Sequence, residues 1–153
     1  MSIAYIGIGS NLGDREKNCL RAIRLLQQKG ITVSKRSSLY DTEPWGVKNQ
    51  PRFINLAIEI ETELEPKELL RILKDTEKEM GRKESSKWGP RIIDLDILLF
   101  ENIVVNDDNL KIPHPLMHER DFVLRPLCEI APDKKHPVLN LSIKELMQKL
   151  PWD

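Results

Sequence analysis

Two aspartates one residue apart, Asp94 and Asp96, lie in the run Ile92-Ile93-Asp94-Leu95-Asp96-Ile97-Leu98-Leu99-Phe100. If the run is a strand, period two turns Ile93, Leu95, Ile97 and Leu99 inward and sets both carboxylates on the opposite face. At ~3.3 Å per residue they stand roughly 6.6 Å apart. Their repulsion is about 0.6 kcal/mol in bulk water but about 2.5 kcal/mol at an effective dielectric of ~20, so in a cleft the pair attracts a cation. Hard carboxylate oxygens with no thiolate nearby suit Mg²⁺, which takes few protein ligands and keeps its other positions for water and substrate phosphates. The bland alternative is an amphipathic strand whose wet face carries two charges. Against it, Asp is unfavourable in strands, and Trp88-Gly89-Pro90-Arg91 immediately precedes the pair. A ring that stacks on a base and a guanidinium that holds phosphate complete a magnesium-dependent phosphoryl-transfer site.

Further candidates cluster around this pair. Arg82, Lys83, Lys87 and Arg91 crowd the segment from Gly81 to Arg91, with Glu84, Ser85 and Ser86 giving it loop character. It reads as a flexible phosphate-binding lid or as an ordinary solvated loop, and its closeness to the aspartates favours the lid. Glu77 lies beside an apolar helical stripe and either pairs with Lys74 or serves the site. Phe53 and Asn55 share the non-core face of another strand, where an amide and a ring suit a planar heterocycle. His114, between Pro113 and Pro115, and Arg120 are candidates for phosphate, since a loop fixed by two prolines positions a side chain well. His118 and His136 have less to recommend them.

These residues need elements to carry them. Residues 3 to 9 read as a strand ending in Gly7-Ile8-Gly9-Ser10-Asn11-Leu12-Gly13. Asp14 caps a helix whose Cys19, Ala22, Ile23 and Leu26 repeat at i, i+3, i+4 and i+7 before Gly30. Residues 31 to 40 read as a second strand, followed by a turn-prone stretch from Asp41 to Pro51. Ile54, Leu56, Ile58 and Ile60 alternate in a third strand, with Phe53, Asn55, Ala57, Glu59 and Glu61 on its other face. Pro66 opens a second helix with Leu69, Leu73, Thr76 and Met80 in register, stopped by Gly81. The fourth strand is 92 to 100. Strand, helix, strand, strand, helix, strand is the split βαβ or ferredoxin-like arrangement: an α+β fold, its antiparallel sheet carrying both helices on one face and leaving the other free for a site. Beyond Phe100 we expect a hairpin around Asn106 to Asn109, a proline-punctuated stretch from Pro113 to Pro132, and a last helix opened by the capping box of Ser142 and Glu145. The glycine-rich segment after the first strand mimics a dinucleotide fingerprint, but its third glycine comes one residue late and the elements do not alternate as βαβα. No Walker-type phosphate loop occurs.

Composition sets the outer limits. The 153 residues suit a single domain, 1–153, with a core of its own. Lys plus Arg (24) equals Asp plus Glu (24), so no global basic field draws the chain to nucleic acid or an anionic membrane. Cys19 and Cys128 sit in apolar patterns with no metal-ligand spacing and read as two buried thiols of a reducing compartment, a disulfide being the alternative. With no secretory leader pattern and no apolar run of ~18 residues, we expect a cytoplasmic protein.

Taken together the motifs resemble the 6-hydroxymethyl-7,8-dihydropterin pyrophosphokinase family, along essentially the whole chain. The most specific stretch is Lys87-Trp88-Gly89-Pro90-Arg91-Ile92-Ile93-Asp94-Leu95-Asp96-Ile97-Leu98, supported by Pro113-His114-Pro115 and by Arg120-Asp121-Phe122-Val123-Leu124 through Pro132. Gly9-Ser10-Asn11-Leu12-Gly13, Thr42-Glu43-Pro44, Phe53-Ile54-Asn55 and Gly81-Arg82 also fall in place. The resemblance implies transfer of diphosphate from ATP to the pterin hydroxymethyl group in folate biosynthesis, with AMP leaving. It implies that Asp94 and Asp96 hold two Mg²⁺ ions, with Arg82, Arg91, His114 and Arg120 on phosphates, Trp88 beside both substrates and Glu77 on the nucleoside. Thr42, Pro44, Phe53, Asn55 and Phe122 would surround the pterin, together with Trp88 and Asp94. Small-molecule substrates, a monomer, and no nucleic acid or membrane partner follow as expectations. Many relatives carry arginine two residues beyond the Gly-Arg of the lid, where this chain has Glu84.

Overall fold

The computed structural model describes residues 1–44, 49–83 and 90–151. Its main sheet is built from β1 (Ser2–Ser10), β2 (Thr32–Arg36), β3 (Tyr40–Thr42), β4 (Phe53–Thr62) and β5 (Asp94–Phe100). Every pairing is antiparallel, in the order β2-β4-β1-β5, with β3 also on β4. With β2 and β3 counted as one interrupted strand, this is the ferredoxin-like order.

Helices α1 (Arg15–Gln28) and α2 (Pro66–Glu79) cover one face. There Ile6 and Ile8 of β1, Ile54, Leu56, Ile58 and Ile60 of β4 and Ile93, Leu95 and Ile97 beside and along β5 join Cys19, Ala22, Leu26, Leu69 and Leu73 in one core. Both helices begin and end as their sequences dictate. Asp14 accepts from the Lys17 N–H, and Glu68 accepts from the N–H of Glu65 just ahead of Pro66. At the α1 C-terminus Gly30 (φ 91°) lets Gly30 N–H reach Gln27 O and Ile31 N–H reach Leu26 O. Gly81 (φ 91°) repeats the motif on α2, where Arg82 N–H donates to Glu77 O.

Four sequence expectations change. The second strand is two pieces, because Ser37 turns its hydroxyl to the Ala57 N–H (2.9 Å) while Ser38 N–H leaves the ladder for the Glu129 carboxylate. In β5 a bulge at Leu98 interrupts the period: Ile97 opposes Ile6 but Leu99 opposes Tyr5. Leu99 therefore faces away from the helical core, and Phe100 turns into it. The stretch from Pro113 to Pro132 contains a helix, α3 (Asp121–Ile130), despite Pro126 within it. It packs its Leu124 and Leu127 against Tyr5, Ala57, Leu98 and Leu99. The second sheet face is thus half covered, and only the end bearing Asn55 and Asp94 stays open. Finally, both thiols are free, but only Cys19 is buried; Cys128 is half-buried.

The remaining elements follow expectation. β6 (Val105–Asn106) and β7 (Lys111–Ile112) form the hairpin, and α4 (Ile143–Gln148) starts at Ser142 with a reciprocal capping box to Glu145 and packs on α3. Among the described residues no helix is long and apolar enough to cross a membrane.

Candidate active site

The open end of the sheet is organised by register. Gly9 of β1 opposes Asn55 of β4 on one side and Asp94 of β5 on the other; one row deeper, Gly7 lies between Ala57 and Asp96. Alternation puts all six on one face, so two glycines and an alanine form a low floor between an amide and a carboxylate pair. Asn55, Asp94, Asp96, His114, Arg120 and Phe122 line the cleft above that floor.

The carboxylates sit among opposed charges. Arg82 Nη1 donates to Asp94 Oδ1 (3.2 Å) and Arg91 Nη1 to Asp94 Oδ2 (3.1 Å). Burial, then the neighbouring charges of Asp94 and Glu77, push the Asp96 carboxyl well above the usual carboxylate range. The pair thus carries unfavourable charge that a cation would relieve. Among the described residues no third His, Cys, Asp or Glu joins it to complete a metal cluster. Two hard-oxygen ligands on an open cleft, the remainder left to water and phosphate, fit Mg²⁺.

Glu77 is only 4% exposed, and its role goes beyond the expected pairing with Lys74. Its Oε2 accepts from the Leu95 N–H (2.8 Å), between the two aspartates, and from Arg82 Nη1 (2.6 Å). It therefore bonds the outer edge of β5 to α2 and anchors Arg82, whose backbone already closes the helix on Glu77. Burial raises its pKa, while the Leu95 bond and Arg82 oppose that shift.

On the far wall, His114 N–H donates to Leu98 O (3.0 Å), and its Nδ1 accepts from Leu116 N–H (3.3 Å), which leaves Nε2 to carry the ring proton. Burial, then the Arg120 charge, lowers its pKa to about 4, so the ring is a neutral donor at physiological pH. The largely buried Arg120 guanidinium lies 5.6 Å from the centroid of the Phe122 ring. Arg82, Arg91, His114 and Arg120 thus converge on the aspartates from three segments.

The expected heterocycle side also assembles. Asn55 Nδ2 donates to Thr42 Oγ1 (2.6 Å), fixing the amide, and half-buried Phe53 stands beside it on β4. Phe122 faces the same cleft from α3, and Pro44 is buried nearby in sequence beyond β3. Trp88, Lys87 and Glu84 lie outside the described residues.

One hub has no counterpart among the residues expected from sequence. Asn11, 1% exposed, donates its own N–H to Arg91 O (3.0 Å) and accepts the Arg91 N–H at Oδ1 (2.7 Å). Its Nδ2 donates to Gln50 Oε1 (2.8 Å) and Pro51 O (3.1 Å). One side chain thus ties β1 to the entries of both β4 and β5. In local pattern an Asn after Gly-Ser at a strand end ordinarily marks a turn, and the Gly9-Ser10-Asn11-Leu12-Gly13 stretch carries the family resemblance without giving Asn11 a role.

Comparison with known proteins agrees with this arrangement. Residues 5–132 match the model of the 7,8-dihydro-6-hydroxymethylpterin-pyrophosphokinase (HPPK) family. The chain is 45% identical over 145 residues to the 2-amino-4-hydroxy-6-hydroxymethyldihydropteridine pyrophosphokinase of Aquifex aeolicus, covering 95% of this chain and 90% of that one. With its Bacillus subtilis namesake it shares 50% identity over 131 residues, 85% of this chain and 78% of the other. Among solved structures, wild-type Plasmodium falciparum HPPK-DHPS superposes with a TM-score of 0.78 at 19% identity, over 97% of this chain but 44% of that one. That likeness speaks to fold alone, and this chain spans less than half of the parasite protein. The match along most of the sequence and the close bacterial relatives establish that the chain belongs to the HPPK family.

Proposed function

We propose that this protein transfers diphosphate from ATP to 6-hydroxymethyl-7,8-dihydropterin, giving AMP and the pterin diphosphate for folate biosynthesis. The observation that carries this reading is the row Asn55, Gly9, Asp94 across three adjacent strands. Two strand spacings, about 9.6 Å, separate the backbone positions of Asn55 and Asp94, and the bare Gly9 between them leaves a flat floor for a bicyclic ring with its hydroxymethyl arm toward the aspartates. Asn55 supplies an adjacent donor and acceptor for the heterocycle edge, and Phe53 and Phe122 supply apolar ring faces, with Thr42 and Pro44 completing the described part of the pocket; Trp88, outside the described residues, would join them as the family resemblance implies.

Asp94 and Asp96 would hold Mg²⁺, two ions when ATP is bound. Bound Mg²⁺ supplies neutralisation of the transferred diphosphate and of the oxygen that leaves with AMP. Arg82 and Arg91, now on the two oxygens of Asp94, are within a side-chain rotation of phosphates arriving at the same place, and they exchange one anion for another at little desolvation cost. Arg120 adds charge from the α3 side, and His114 donates through Nε2 without titrating. Glu77 holds Arg82 and the backbone between the aspartates, and contacts the nucleoside from α2. The hydroxymethyl oxygen attacks the β-phosphorus, the bond from that phosphorus to the α,β-bridging oxygen breaks, and the hydroxyl proton is released. Rate comes from alignment of the two substrates and from charge already in position.

The chain acts as one domain, a cytoplasmic monomer working on small molecules; balanced charge and two carboxylates on the open sheet face support this over an RNA-binding module. Calorimetry separates the readings: Mg²⁺-dependent ATP-analogue binding that strengthens pterin binding supports the enzyme. Metal-independent nucleotide binding unaffected by Asp94→Ala would defeat it.

A further inference from the structure

In the proposed chemistry Gly7 and Gly9 serve only as the low floor of the cleft, between Asn55 and the aspartates. Gly9 is not required by backbone conformation, since among the described residues the glycines with positive φ are Gly13, Gly30 and Gly81. It is required by space. A β-carbon built on Gly9 would stand 2.6 Å from Asn55 Oδ1, inside van der Waals contact, and 3.6 Å from Phe53 Cδ1. The other end of the same amide is held by Thr42 Oγ1, 2.6 Å from Nδ2. The Asn55 side chain is therefore clamped between a hydroxyl on β3 and an absent side chain on β1. Its oxygen lies over the bare β1 backbone. Any side chain at position 9 must swing the amide, breaking the Thr42 bond or turning the donor-acceptor pair away from the cleft.

We propose that Gly9 is a specificity-determining positioning residue for the pterin: its missing side chain seats Asn55 Oδ1 and so fixes the direction in which the amide reads the heterocycle. This rests on Asn55 reading the pterin, as proposed above. The clash falls on Asn55, because of the three atoms nearest a position-9 methyl only Asn55 Oδ1, at 2.6 Å, is closer than ordinary contact, while Phe53 Cδ1 lies at 3.6 Å and Asn55 Cγ at 3.7 Å. A structural role for the glycine would instead show as lost folding stability and weakened binding of both substrates.

The test uses the full chain with Mg²⁺ and an ATP analogue methylene-bridged between the α- and β-phosphorus, titrated with 6-hydroxymethylpterin in a calorimeter. The variants are Gly9→Ala, Asn55→Ala, the double variant and Thr42→Val, each with its melting temperature and its affinity for the nucleotide analogue. Misaiming an amide that makes one or two hydrogen bonds predicts pterin affinity about 10-fold weaker or more in Gly9→Ala, with nucleotide affinity unchanged. Thr42→Val, which opens the other side of the clamp, should also weaken the pterin. Adding Gly9→Ala to Asn55→Ala should then cost little, since truncating the amide leaves the new methyl room. Wild-type pterin affinity in Gly9→Ala overturns the inference, as does an equal loss with and without Asn55, or an unaffected Thr42→Val. If Gly9→Ala fails to fold, the double variant and Thr42→Val still decide. Wild-type affinity in Asn55→Ala would instead sink the pterin assignment of Asn55 itself.

Discussion

Replacing Asp96 with Asn should make the ligand-free protein more stable while destroying its activity. The structure gives both the sign and the scale. Asp96 and Asp94 stand on one face of β5 at roughly 6.6 Å along the strand, a repulsion of about 2.5 kcal/mol at an effective dielectric of ~20. Arg82 and Arg91 on Asp94 offset part of this, so about 1–2 kcal/mol should be recovered when the Asp96 charge is removed. Burial and its acidic neighbours raise the folded pKa of Asp96 to about 7, from an ordinary value of 3.8. A carboxyl whose pKa is raised by folding holds its proton longer in the native state, so the wild type loses stability as pH rises from about 4 through 7. Melting curves without metal or nucleotide should therefore coincide for wild type and Asp96→Asn only below about pH 4, where the carboxyl is protonated folded and unfolded alike. At pH 8 the variant should melt about 2–8 °C higher, at 2–4 °C per kcal/mol for a chain of this size. A variant equal to or less stable than wild type at pH 8, or an unchanged pH dependence, would refute the electrostatic account of the site.

Other residues give separate checks. Asn11→Ala leaves the Arg91 N–H and two segment contacts without their partner, and should cost about 1–3 kcal/mol in urea denaturation. It should also raise the KM for ATP, because Arg91 loses its seat; unchanged stability would contradict the hub. His114→Gln should weaken nucleotide binding without altering its pH profile between about 5.5 and 8, because the histidine, at a pKa of about 4, stays neutral there. An inflection near 6.5 that vanishes in the variant would show that His114 titrates. The lowered pKa also predicts that the stability contributed by neutral His114 falls as pH drops from about 6.5 toward 4.

Much of this arrangement is legible in the chain because it is written in strong local signals. The aspartates alternate with Ile93, Leu95 and Ile97, which set their common face whatever the tertiary context. Caps at Asp14, Gly30, Gly81 and Ser142 fix helix ends by backbone geometry that only those residue types satisfy well. What escapes notice depends on contacts distant in sequence. Ile97-Leu98-Leu99-Phe100 is apolar throughout, so no period reveals the bulge; it is set by how β5 meets Tyr5. Helix α3 shows Leu124, Leu127 and Ala131 at helical spacing, yet Pro126 argues against a helix, at a cost of ~3 kcal/mol when placed in its interior. Burial of α3 against the sheet offsets that cost, and this helix supplies the Phe122 wall of the cleft. Asn11 carries an ordinary turn signature, and its importance comes from Arg91, eighty positions away. Gly9 and Asn55 likewise meet only through strand register.

Product identity tests the central claim most directly. With ATP, Mg²⁺ and reduced 6-hydroxymethylpterin, phosphorus NMR of the reaction should show AMP and pterin diphosphate appearing one to one. Asp94→Ala and Asp96→Ala should form neither. Accumulation of ADP with a pterin monophosphate, or undiminished turnover in both variants, would contradict diphosphate transfer at this site.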